Sequence, residues 1–164
     1  MQYFSSLADA MPELSVVGDE QTVCLVLIDD MACELSLSKE LEKLLTTMTR
    51  HNRLNVSLTS QSIYQSSCEI WRTVVKNAHV IILTNSPRER RSTQILFSQL
   101  FGARGATMAD AVMSECRCEN MKRYGHPYFF VYLNLSTDCS PALRIVYDNL
   151  SREPIVFCES INRC

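Results

Sequence analysis

Two adjacent carboxylates, one amide and two guanidiniums are the groups whose types and spacing could do chemistry together in this 164-residue chain. Asp29 and Asp30 close the most apolar stretch, Thr22 to Ile28 (TVCLVLI). At the end of a strand, the first acid of such a pair can hold Mg²⁺, usually through water. The second can orient or deprotonate an attacking water. Gln61 stands beside Ser60 just past a second run, Leu54 to Thr59 (LNVSLT), where a polar side chain can sense a γ-phosphate. Arg50 and Arg53 precede that run, as cations of the kind that serve as fingers toward a neighbouring active site. Each residue also has a plainer reading. Strand-end aspartates cap helices and make turns, a loop glutamine meets water, and exposed arginines are solvated. Only the joint arrangement points to phosphate chemistry.

For these groups to meet, the elements that carry them must be neighbours. A continuous apolar run such as Thr22 to Ile28 suits a strand covered on both faces, as in a parallel sheet. Leu37, Leu41, Leu44, Leu45 and Met48 then recur at helical spacing, with Lys39, Glu40, Glu42 and Lys43 on the other face and Ser36 as cap. After the second strand come a polar stretch to Ser67, an amphipathic segment from Glu69 to Lys76, and a third strand, Ala78 to Thr84 (AHVIILT). Asn85, Ser86 and Pro87 suit the cap and first turn of a helix that reaches Phe101 and stops at Gly102. Thr107 to Asp110 reads as a capping box opening a further helix to about Lys122. Tyr128 to Leu133 and Leu143 to Tyr147 flank Thr137, Asp138, Ser140 and Pro141 as a hairpin. The expected architecture is one α/β domain over residues 1–164, a largely parallel sheet built by right-handed crossovers with a C-terminal β-hairpin. Such crossovers bring the ends of the first and second strands to one edge, where ligands bind in open α/β sheets.

Composition narrows the classes. Sixteen Lys and Arg against 18 Asp and Glu leave a net charge of −2, so nothing forecasts a non-specific grip on DNA by the domain as a whole. The longest wholly apolar run, Val23 to Ile28, falls far short of the roughly 20 residues that span a bilayer, and no membrane partner is expected. No signal peptide is visible at the N-terminus. Eight cysteines without a C-x-x-C suit reduced thiols in the cytoplasm or nucleus. Cys116, Cys118 and His126 offer three zinc ligands at poor spacing. Trp71 reads as a packing anchor, His79 as a strand histidine and His126 as a solvent-facing turn residue. The run Arg88 to Arg91 reads as a solvated helix start. Neither Gly102, Gly105, Gly125 nor Gly18 belongs to a G-x-x-x-x-G-K-[ST] loop, so these residues contain no phosphate cradle of that type.

In order and over about Met11 to Asn149, the chain resembles the C-terminal two-thirds of FtsK/HerA-type genome-packaging ATPases. It is closest to those of Polinton (Maverick) elements and adintoviruses, and more distant from the poxvirus packaging ATPase. Met11-Pro12 is similar to that family's leucine-proline entry, and Leu25 to Met31 (LVLIDDM) to its Walker B strand. Leu44 to Gln65 resembles the block ending in the sensor glutamine. Ile70 to Gly102 resembles the Asn-Ala and Asn-x-Pro-Arg block, with Asn77, Pro87, Arg88 and Gln99 retained, and Gly125 to Ile145 resembles the last strands. The resemblance implies a P-loop NTPase fold of the RecA/FtsK kind. Asp29 would then be the metal carboxylate, Asp30 the residue that activates water, Gln61 the γ-phosphate sensor and Arg50 or Arg53 the finger in trans. ATP and Mg²⁺ are the implied cofactors. A homo-oligomeric ring, double-stranded DNA and virion association are the implied partners and setting.

The sequence departs from the family pattern at Arg50-His51, Ser62, Glu89, Phe129-Phe130 and Asn134, and above all in the missing P-loop. Without it, this chain is expected to bind ATP and Mg²⁺ weakly at most and not to hydrolyse ATP, as a fragment of a longer reading frame or a copy that has lost nucleotide binding. A non-enzymatic interaction subunit, or a transposon relic, with an ATPase-like fold is the alternative. An unrelated α/β binding domain is a third reading, which predicts that the strands leading to Asp29 and Gln61 are not neighbours.

Overall fold

The computed structural model describes residues 2–16, 24–29, 39–52, 54–62, 69–136, 145–148 and 155–157. They belong to two units, Met1–Asn77 and Ala78–Cys164. The protein is a mixed α/β chain.

The first unit opens with a helix that the sequence reading did not assign, α1 (Leu7–Val16), with Pro12 inside it. Its start is legible in hindsight. The Ser6 hydroxyl accepts the Asp9 amide at 3.2 Å and donates to the Asp9 carboxylate at 2.7 Å. Strand β1 is Cys24–Ile28. Helix α2 covers residues 39–51, with Leu44–Met48 wound as a π-turn in which the Thr49 amide reaches back five residues to the Leu44 carbonyl. The expected face is the buried one, with Leu41, Leu44 and Met48 inside, while Ser36 and Leu37 lie outside the described residues. Strand β2 (Leu54–Leu58) and helix α3 (Glu69–Asn77) follow among the described residues.

Strands β1 and β2 pair in parallel, Cys24 opposite Leu54 and Ile28 opposite Leu58. One core joins α1, α2 and the inner face of the pair: Leu7, Ala10, Leu14, Ile28, Leu41, Leu44, Met48 and Leu54, with Val26, Val56 and Val74 packed on it. The Asn52 amide donates to the Leu14 carbonyl at 3.0 Å and ties the end of α2 to α1. The two-sided coverage expected of β1 is corrected. Leu25 and Leu27 are 60% and 61% exposed, because alternate side chains point away from the helices that cover the other face.

In the second unit, β3 (Val80–Thr84) runs through a 3₁₀ turn, Pro87–Glu89, into α4 (Arg90–Phe101). The Ser86 hydroxyl makes no cap bond. Its carbonyl accepts the Glu89 amide instead, at 3.1 Å. Gly102 adopts φ +72°, a conformation that glycine tolerates, and α4 ends there as expected. A second 3₁₀ turn, Gly102–Arg104, leads directly into α5 (Gly105–Tyr124). The capping box at Thr107 to Asp110 is therefore corrected: these residues lie inside α5. The helix starts early because Gly105 has no side chain, so it can sit against the Phe97 carbonyl and Ser98 amide of α4, where a Cβ would collide. Asp110 is used elsewhere. It takes two bonds from Arg90, at 2.9 and 3.0 Å, and one from Gln94 at 2.9 Å.

Strands β4 (Phe130–Asn134), β5 (Ile145–Asp148) and β6 (Ile155–Phe157) follow, the last not foreseen. The sheet order is β3-β4-β5-β6, with each pairing antiparallel. The expected β4–β5 hairpin partnership is present, and its turn lies outside the described residues. The expectation of a largely parallel sheet is corrected: among the described residues only β1–β2 is parallel. One helix between strands returns the chain for a parallel partner, but α4 and α5 are two, so the chain enters β4 running opposite to β3. Leu96, Phe97, Val112, Cys116, Val131, Leu133 and Ile145 are buried within this unit.

Asn120 is fully buried, which a polar side chain tolerates only when bonded. Its amide nitrogen lies 2.9 Å from His126 Nδ1, 2.7 Å from the His126 carbonyl and 2.6 Å from the Tyr128 carbonyl. Two of these partners only accept, so the NH₂ end must face them and His126 Nδ1 is also an acceptor. The solvent-exposed His126 ring is thereby fixed between Tyr124 and Tyr128, with ring centres 6.0 and 5.8 Å away.

Candidate functional site

The parallel register brings the ends of β1 and β2 to one rim. Ile28 is level with Leu58, and the Thr59 amide donates to the Ile28 carbonyl at 2.9 Å, which carries the pairing one step past the strands. Asp29 and Thr59 therefore leave side by side, and the Thr59 hydroxyl donates to Asp29 Oδ1. Both side chains are exposed. The chain then folds over at once: the Ser60 hydroxyl donates to the Ser62 carbonyl at 2.8 Å and accepts its amide at 3.3 Å. This local turn keeps Gln61, also exposed, two residues from Thr59 on the same rim.

Thus Asp29 and Gln61 share one edge of the parallel pair, as expected of strands joined by a crossover. Asp30 and Arg53 lie outside the described residues. Arg50 is exposed on the last turn of α2, before β2 begins. The four steps of β2 span about 13 Å, which puts Arg50 at the far end of that strand from Gln61. The unit does not bring Arg50 to the rim. Sequence reasoning missed Thr59, the residue that orients the carboxylate. Its signal was the position one past the strand, level with Asp29.

An exposed carboxylate beside a hydroxyl offers hard oxygen donors, which fits a cation such as Mg²⁺ that keeps most of its water. Among the described residues no group of three His, Cys, Asp or Glu side chains could hold a metal ion, and Asp29 is the acid carried by the described strand end. Elsewhere, Cys116 is buried and Cys118 exposed on α5, so the cysteine pair closest in sequence does not share a face. Burial pushes the Cys116 thiol up to about 12. No helix among the described residues is long and apolar enough to cross a membrane. Comparisons with family models, curated proteins and solved structures give no match.

Proposed function

We propose that the chain is the Walker B and sensor portion of an ATP-driven, DNA-translocating packaging motor of a virus or virus-like transposon, built on a RecA/FtsK-like P-loop fold. The observation that carries the reading is the adjacency of β1 and β2, with Asp29 and the Gln61 turn leaving at a common rim. An unrelated domain with a chance Asp-Asp strand end need not have that neighbourhood, although consecutive strands often pair.

In this reading Asp29, held by Thr59, would take Mg²⁺ through water, and the metal would draw charge from the transferred phosphoryl group. Asp30 would accept a proton from the attacking water, while the Gln61 amide would orient that water and sense the γ-phosphate. Arg50 or Arg53 would act on a neighbouring subunit's site in a ring around double-stranded DNA. This trans role is compatible with the distance of Arg50 from its own rim. The sequence contains no G-x-x-x-x-G-K-[ST], so the 164 residues alone hold ATP weakly and do not turn it over. That same feature favours the second reading, an ATPase-like fold kept as an interaction subunit.

The reading frame immediately upstream of codon 1 separates the two. The motor reading expects an in-frame P-loop there, and DNA-stimulated, Mg²⁺-dependent ATP hydrolysis by the full product that Asp30→Asn abolishes. A full product with no P-loop and no hydrolysis would leave the interaction subunit.

A further inference from the structure

In the second unit, the start of α4 and the middle of α5 leave a cleft of about 480 Å³ between them, within the ~300–1,000 Å³ range of small-molecule sites. Its charged lining residues are Arg90, Asp110 and Arg117. Asp110, Ser114 and Arg117 recur on α5 at spacings of four and three, so they share one face of the helix.

The bonding of these groups divides them into two sets. Asp110 is satisfied: Arg90 grips both of its oxygens and Gln94 adds a third bond. The Arg90 hydrogen bond is also the main cause that holds the Asp110 carboxyl below the usual range, so the acid stays charged and is already neutralised. Arg117 has no ion pair among the described residues, and the Ser86 and Ser114 hydroxyls have no protein partner among them. Among the described residues, one guanidinium and two hydroxyls therefore line the cleft with their donors uncommitted, and two positive charges against one negative leave a net charge of +1.

We propose that this cleft binds a small phosphomonoester, with its phosphate on Arg117, Ser86 and Ser114 and its organic body against Met113. Donors from three residues on two elements suit the three terminal oxygens of a tetrahedral phosphate better than the two of a planar carboxylate. With Asp110 neutralised by Arg90, Arg117 is the lining cation left to meet an anion, which suits a single phosphate better than a polyphosphate. The site lies apart from the β1–β2 rim in sequence and does not depend on the proposed motor function.

Phenyl phosphate and inorganic phosphate, titrated into the isotopically labelled full chain and followed by amide shifts, test the assignment. Saturable shifts over residues 86–90 and 110–117 are expected, with phenyl phosphate binding more tightly than phosphate. Loss of a charge-assisted contact in Arg117→Ala should weaken binding about tenfold or more, Ser114→Ala should weaken it about threefold, and Arg117→Lys should recover part of the loss. Arg117 is exposed, so these variants keep the fold, which an unchanged circular dichroism spectrum checks. Absence of saturation, equal binding by Arg117→Ala, or shifts at these residues with duplex DNA but not with phenyl phosphate would each overturn the proposal.

Discussion

Replacing Asn120 with leucine removes the buried side chain whose hydrogen bonds join α5 to the turn before β4. Its two N–H bonds serve three acceptors, and an ordinary neutral hydrogen bond contributes about 1 kcal/mol net, so the donors supply about 2 kcal/mol. Leucine keeps the branched outline, with methyl groups bulkier than the amide, and offers no donor. The carbonyls of His126 and Tyr128 then lose their partner, and an acceptor stranded away from water costs about 1–3 kcal/mol. Partial access to solvent at the exposed His126 lowers that penalty, which gives a total of about 2–4 kcal/mol. For a chain of this length the melting temperature should fall by roughly 5 to 15 °C, read by far-ultraviolet circular dichroism. Near-ultraviolet circular dichroism should change as well, since the Tyr124, His126 and Tyr128 rings lose their fixed order. Asn120→Asp should cost more, because it sets a carboxylate against two carbonyls. A leucine variant within about 0.5 kcal/mol of the parent would refute the reasoning, since it would mean the buried amide does not hold the turn.

Three further outcomes follow from the described geometry. Gly105→Ala should destabilise the second unit by about 1–3 kcal/mol in urea unfolding, because the added methyl meets backbone of α4 that cannot rotate away. A neutral or stabilised variant would contradict that close approach. The Asp110 carboxyl, depressed by Arg90, should titrate by NMR below the range of free aspartate. Its contribution is present above the unfolded value and lost only as pH falls through the lower folded one, and Arg90→Ala should move the midpoint up. In the native protein a thiol reagent mapped by mass spectrometry should label Cys118 and spare Cys116, whose thiol is buried and pushed up to about 12.

Local pattern made most elements of both units legible. The apolar run ending at Asp29, the Leu41, Leu44 and Met48 stripe and the glycine stop at Gly102 each mark an element by a signal confined to a few residues. Pairing partners are set by distant segments, and there the reading failed. Two consecutive helices between β3 and β4 turn the second sheet antiparallel, a consequence visible only when strand direction is followed through both. Thr107 to Asp110 has the letters of a cap, but tertiary contacts took Asp110 for Arg90 and let Gly105 start the helix. Helix α1, which the sequence reading did not assign, carries Pro12 at a cost offset by the burial of Leu7, Ala10 and Leu14. At the rim, Asp29 and Gln61 were readable because strand ends in a crossover share an edge. Thr59 was not, since its role depends on the register of two strands.

In the proposed function, a cation is drawn to the rim where β1 and β2 end. Paramagnetic broadening by Mn²⁺, followed in the amide spectrum of the full chain, measures this directly. The expected result is preferential broadening at Ile28, Asp29, Thr59 and Gln61 that disappears in Asp29→Asn. Broadening centred on Asp110, or broadening at the rim that survives Asp29→Asn, would contradict it.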